Sequence, residues 1–170
     1  MTTKETAGKC KLGFVYTASI ELPDGTIIDL GEHENLIPQA GIDQLAGLIT
    51  GDASAISSWY VGLFAGNYVP TSATTSADLP TNAGESTAYS ETTRQAWTKA
   101  YDGVSLITSS ANRASFTFTA DTTLYGGFLV SNSTKGGANG VLLSIARFAT
   151  PYTVPSGSLF KLGVAISLAA

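Results

Sequence analysis

The chain has one cysteine, Cys10, and one histidine, His33, among its 170 residues. A lone cysteine excludes an internal disulfide, and no Cys/His cluster has the spacing of a metal site, so no cofactor or metal is expected. Charge is also scarce: Asp, Glu, Lys and Arg make up 13% of the chain, about half the usual ~25% for soluble domains. The net charge is -4, with no basic patch among the nine Lys and Arg. That balance argues against direct nucleic-acid binding, which needs several cations to displace counterions from phosphates. No apolar run reaches the ~20 residues of a membrane span; the run from Leu159 to Ala170 is short and interrupted by Lys161. Residues Met1 to Thr6 include Lys4 and Glu5 and no apolar core, so a secretory signal is not expected and synthesis in the cytoplasm is.

What fills the chain instead is Ser, Thr, Asn and 18 glycines around a hydrophobic fraction of 44%. Such a surface has little long-range field, so contacts with other molecules should rest on shape, backbone hydrogen bonds and apolar area. At this length the chain is about one domain long, enough for a sizeable core.

The apolar residues recur mainly at a period of two. Phe14, Tyr16, Ala18, Ile20 and Leu22 alternate with Val15, Thr17, Ser19 and Glu21, as in a half-buried strand. Pro23-Asp24-Gly25-Thr26 supplies a turn, and Ile27 to Leu30 return as the second arm of a hairpin. Ala114, Phe116 and Phe118 repeat the alternation, as do Phe160, Leu162, Val164, Ile166 and Leu168. The densest run, Ser58 to Tyr68, places Trp59, Val61 and Leu63 on one face of a strand and Tyr60, Gly62 and Phe64 on the other. Both faces are largely apolar, which marks a central strand. Further strands are expected at Thr87–Glu91, Arg94–Tyr101, Leu124–Val130 and Val141–Phe148, with Trp97 spent on packing and Asp102-Gly103 making a turn.

One helix interrupts the pattern. Pro38 suits its first turn, Ile42, Leu45, Ala46 and Ile49 form a narrow apolar stripe, and Gly51 suits its end. The helix is expected to cap an opening of the core. The sum is an all-β fold: a single-domain antiparallel β-sandwich, jelly-roll or immunoglobulin-like, with one short helix. It occupies residues 12–170 behind an N-terminal arm at residues 1–11, which is either a frayed terminus or a segment that orders against a neighbour.

Catalytic patterns are missing. His33 lies in Glu32-His33-Glu34, but on a strand the two carboxylates point away from the imidazole, and a solvated strand end is the expectation. No G-x-S-x-G supports a serine nucleophile, and the acidic residues fall mainly at turns and strand ends. The glycine-rich segment Ser131 to Gly140 lacks the order of a phosphate-binding loop and reads as a hairpin loop. An enzyme is not expected. The long polar connection from Val69 to Ser86 is of a length that is usually functional or disordered.

Asn35-Leu36-Ile37-Pro38-Gln39-Ala40-Gly41-Ile42, Trp59-Tyr60-Val61-Gly62-Leu63, Tyr89 to Trp97 and Gly127 to Gly137 occur in that order. This combination resembles small virion structural proteins of tailed double-stranded DNA bacteriophages. The resemblance implies a capsid decoration or cement protein that binds the outside of the head. Its partners would be the major capsid protein and copies of itself, as a trimer, a dimer or lattice neighbours. Thr2, Thr3, Lys4 and Glu5 in the arm, and Tyr68, Val69, Pro70, Leu79 and Pro80 in the loop, are the candidate protein-binding residues. The alternative is a tail or fibre component that binds host-surface glycan, with Tyr68, Tyr101, Tyr125 or Tyr152 stacking on sugar rings.

Overall fold

The computed structural model describes residues 13–168. The arm at residues 1–11, with its candidate contacts Thr2, Thr3, Lys4 and Glu5, lies outside them.

The hairpin forms where the alternation places it. Strand β1 (Gly13–Glu21) pairs antiparallel with β2 (Ile27–Glu34), and Gly25 closes the turn at φ 84°. The last strand, β10 (Leu159–Ser167), pairs with β1 over its whole length, Phe14 opposite Ile166 and Ile20 opposite Phe160. Three short strands complete this first sheet: β5 (Ala100–Tyr101), β6 (Leu106–Thr108) and β7 (Ala114–Thr117). Its order is β2-β1-β10-β6-β5, with β7 also paired to β10. The second sheet has the order β4-β3-β8-β9, built from β3 (Tyr60–Phe64), β4 (Gln95–Ala96), β8 (Thr122–Val130) and β9 (Leu142–Val154). The described residues thus form an all-β single-domain sandwich with one α-helix.

Between the sheets lies the principal core. Phe14, Tyr16, Ala18 and Ile20 from β1 and Phe160, Leu162, Val164 and Ile166 from β10 face Trp59, Val61, Leu63 and Leu129 from the second sheet. Trp97 ties the two sheets together. Its backbone N–H donates to the Trp59 carbonyl at 2.8 Å, and its indole Nε1–H donates to the Val164 carbonyl at 3.1 Å. The expected strand from Arg94 to Tyr101 is consequently split: β4 belongs to one sheet and β5 to the other, with Trp97 at the crossing. The expected strand Thr87–Glu91 reduces to a single bridge between Tyr89 and Phe118. Ser90 N–H and Thr119 N–H bond across this connection to the Thr117 and Ala88 carbonyls, so its backbone is satisfied without a ladder.

A second, smaller apolar cluster lies on the other face of the second sheet, where Phe64, Phe128, Val130 and Ile145 meet Leu79 and Ala83. The two-sided apolar character of β3 has its cause here. In β3 and β8, Gly62 stands opposite Phe128 and Phe64 opposite Gly126. Each phenylalanine ring lies over the glycine across from it, so closely that a Cβ at either glycine would collide with the ring. Two Gly–Phe pairs therefore give a sheet surface flat enough to be covered by an irregular segment.

That segment is the connection 66–86. It carries a one-turn 3-10 helix, Ser76–Asp78, closed by a capping box between Thr75 and Asp78. The Thr75 N–H, with help from Asn82, holds the Asp78 carboxyl below its ordinary value. Leu79, Ala83, Thr74 and Ser76 are buried. The long polar loop is thus the lid of the second core.

The helix α1 (Gln39–Thr50) begins directly after Pro38 and ends at Gly51 in the left-handed region, φ 84°. It packs against β9, and Gly41 sits so close to the Leu143 carbonyl that no side chain fits there. Backbone proximity at Gly41 fixes the helix rotation. Leu45 packs on the core, whereas Ile42, Ala46 and Ile49 face solvent. The stripe seen in the sequence is therefore divided, and its larger part points outward.

Candidate functional site

Catalysis or metal binding requires titratable side chains that converge on one point. Among the described residues no group of three or more His, Cys, Asp or Glu could hold a metal ion, and no helix is long and apolar enough to cross a membrane. His33 departs from the expected solvated strand end. It lies opposite Tyr16 in the β1–β2 ladder and is 6% exposed. Its ring packs against Phe148 and Tyr152, with centroids 4.6 and 5.8 Å away, while Glu32 and Glu34 remain exposed. The strand period separated the carboxylates correctly but could not say which face was inside.

Burial lowers the His33 pKa from its ordinary 6.5. The unfolded chain therefore takes up the proton first. His33 contributes no pH dependence well above that value, and stability falls as pH drops from 6.5 toward the lowered folded-state pKa. His33→Phe should flatten this acid limb in urea melts between roughly pH 5 and 7.5. An unchanged limb would assign the loss to other groups.

The most elaborate polar constellation is internal. Arg94 and Glu85 form an ion pair with both side chains fully buried. Arg94 Nε donates to Glu85 Oε1 at 2.8 Å and Nη2 to Oε2 at 2.6 Å, the bidentate geometry. The same guanidinium donates to the carbonyls of Asn132 (3.0 Å) and Gly137 (2.6 Å) and rests on the Phe128 ring. Nearby, Lys135 Nζ donates to the carbonyls of Tyr89 and Glu91 and lies over the Tyr89 ring. Two cations thus fasten the glycine-rich loop 131–140 to the connection 85–94. The Arg94 and Glu85 side chains have no access to solvent, and Lys135 is half-buried beside them; the cluster is a structural clamp. Sequence inspection passes over it because the partners lie nine positions apart in irregular segments, where no period marks them.

Exposed aliphatic side chains gather on α1. Ile49 is 89% exposed and Ile42 45%, with Ala46 between them. The Gln39 N–H at the helix start donates to the Ser72 carbonyl at 2.8 Å, which ties the helix to segment 67–74. That segment carries Val69, 65% exposed. It is held by Arg147, which donates to the Tyr68 carbonyl and to Asn67 Oδ1, and by the Tyr68–Thr74 hydroxyl contact at 2.8 Å. Of the loop candidates, Val69 is exposed, Tyr68, Pro70 and Pro80 are half-buried, and Leu79 lies inside the second core. Ile42 and Ile49 were missing from the candidates although their period was visible.

The tyrosines do not form one platform. Tyr125 is half-buried with Arg147 over its ring, Tyr152 packs on His33 and Phe148, and Tyr101 is exposed with its hydroxyl bonded to the Val104 carbonyl. No protein-family model, no curated protein and no solved structure matches the chain.

Proposed function

We propose that this protein is a non-enzymatic virion structural protein that docks on the outer surface of a phage capsid and stabilises it. The observation that carries the reading is the outward apolar stripe of α1, Ile42, Ala46 and Ile49, beside Val69 on a segment fastened to the helix. Exposed aliphatic side chains on a preordered scaffold suit docking to another protein, since little ordering entropy opposes binding. The phage assignment comes from the resemblance of segments 35–42, 59–63, 89–97 and 127–137. The major capsid protein is the proposed partner, and repetition of a modest contact over a lattice would make attachment effectively permanent. Copies of the chain around a symmetry axis would add valency.

The test is a capsid-binding assay with Ile42→Asp/Ile49→Asp. Central apolar contacts at interfaces are worth about 1–2 kcal/mol or more each, so the double variant should bind expanded heads at least about tenfold more weakly. Ile49 stands almost wholly in solvent and Ile42 is about half exposed, so the melting temperature should fall only modestly, and Ile49→Asp alone should leave it near the parent value while still weakening binding. Undiminished capsid occupancy would remove α1 from the docking surface. Deletion of residues 1–10 in the same assay measures what the arm adds.

A further inference from the structure

The outer face of the β1/β10 sheet carries an open groove with an arginine laid across it. Its construction begins at β10, whose edge is shared end to end by β6 and β7. Ser109 fills the gap between them. It is buried, its backbone N–H donates to the Val164 carbonyl at 3.1 Å, and its hydroxyl accepts the Val164 N–H at 3.0 Å. The connection 109–113 is thereby pinned at the middle of the sheet instead of its rim, and it sends Arg113 back over the strands. The arginine stem lies over Gly163, where a Cβ would stand 2.6 Å from Thr17 Oγ1 and 3.3 Å from Arg113 Cγ. Only a residue without a side chain leaves this path clear.

Arg113 is placed but not neutralised. Its Nη1 makes one long bond, 3.4 Å, to Ser19 Oγ. Among the described residues the ion pairs are Arg94–Glu85 and Lys161–Glu21, so no carboxylate is paired with Arg113. Cavities open on both sides of it. One, of about 580 Å³, is lined by Ser19, Asp29, Asn112, Ser115 and Lys161; the other, of about 300 Å³, by Thr17, Glu32, Thr108 and Ala165.

We propose that this groove binds a saccharide bearing a carboxylate, of the uronate or sialate type. The ligand carboxylate would take the free N–H groups of Arg113 in a fork, the geometry a guanidinium offers and an ammonium does not. The flanking hydroxyls both donate and accept, as sugar hydroxyls do, and Asp29 and Glu32 can accept from vicinal hydroxyls. These two carboxylates also disfavour a multiply charged phosphate ligand by like-charge repulsion. A peptide strand is poorly served, because the groove crosses the middle of the sheet, where backbone groups are already paired along β1 and β10. No aromatic ring lines either cavity, so charge-assisted hydrogen bonding must supply the affinity in place of ring stacking. The inference is independent of capsid docking, since α1 packs on β9 of the other sheet.

The experiment is titration of the ¹⁵N-labelled protein with two singly charged sugars, methyl galactosiduronate and sialyllactose, each beside its uncharged counterpart, methyl galactoside and lactose. At least one acidic sugar should bind with a Kd below about 1 mM and shift amides of residues 108–115 and 161–165. Its neutral counterpart should bind at least about tenfold more weakly, and Arg113→Gln should lose a similar factor while Arg113→Lys loses less. The spectra of both variants away from the groove should match the parent, which separates lost binding from lost folding. Absence of binding by both acidic sugars, equal binding of the neutral forms, unchanged affinity in Arg113→Gln, or equal shifts with inorganic phosphate would each overturn the proposal.

Discussion

Arg94→Met should lower the unfolding free energy by about 3–5 kcal/mol, the usual result of stripping one partner from a buried ion pair. The loss has two sources. Glu85 keeps its carboxylate in a site with no solvent contact, and the Asn132 and Gly137 carbonyls lose their donors. A methionine of similar length restores neither. Urea denaturation of parent and variant measures the difference directly. The double variant Arg94→Met/Glu85→Leu should recover much of the loss, because removing both charges also removes the desolvation cost of the survivor. If Arg94→Met costs under about 1 kcal/mol, water must reach Glu85 and the clamp is not closed. In the single variant, amide exchange should quicken first in loop 131–140, which Arg94 holds through two of its carbonyls.

Phe128→Ala should cost about 3–5 kcal/mol, as expected for a fully buried aromatic ring. The ring is the centre of the second core: it covers Gly62, touches the lid residues' cluster, and supports the Arg94 guanidinium. Gly62→Ala alone should also destabilise, by about 1–3 kcal/mol, because the new methyl meets that ring. The two changes should not add. With the ring gone, the methyl introduced by Gly62→Ala enters vacated space, so the double variant should lose less than the sum of the single losses. Strict additivity, measured by thermal or urea unfolding, would mean that the ring and Gly62 are not in contact. Both variants bear on the docking reading as well. A loosened second core frees the connection 66–86, which carries Val69 and is tied to α1 through Ser72, so capsid binding should weaken along with stability.

How much of this was legible beforehand follows the physics of each feature. Alternation in β1, β7 and β10 located their buried faces, since a strand turns each side chain by half a revolution and one face must be dry; Leu22 and Leu168, which continue the two longer patterns, lie past the strand ends, half-buried and exposed. The double-sided character of β3 was equally plain. The sequence offered no sign of what covers its second face, because the cover is an irregular segment contributing Leu79, Ala83 and the half-buried Tyr68 to the cluster. Its small polar residues look like those of a solvated loop. The break between β4 and β5 was invisible for a related reason: a chain crossing between sheets keeps extended geometry throughout. For α1, the period identified an apolar stripe, but Gly41 against the Leu143 carbonyl decided which side packs, and a glycine adds nothing to a stripe.

The candidate surfaces divide in the same way. Val69 could be picked out as a candidate contact because it lies in a long connection, and its side chain is exposed. Arg113 could not, since a single arginine in Ser-Ser-Ala-Asn-Arg-Ala-Ser has no pattern around it. It acquires meaning only when β10, the fourth strand after it, brings Gly163 beneath it and Ser19 of β1 beside it.

The sequence alone determined that the molecule is an all-β sandwich without disulfide staples, that β3 is central, and that one helix ends at Gly51, because those properties rest on local period, composition and turn chemistry. The tertiary structure alone decided that His33 is inside, that Arg94 closes on Glu85, that Ile42 and Ile49 face outward and that Arg113 lies open across a groove. Each of those outcomes depends on residues far apart in the chain meeting at a distance of a few ångströms, and pairing across a sandwich leaves no trace in the neighbours of either residue.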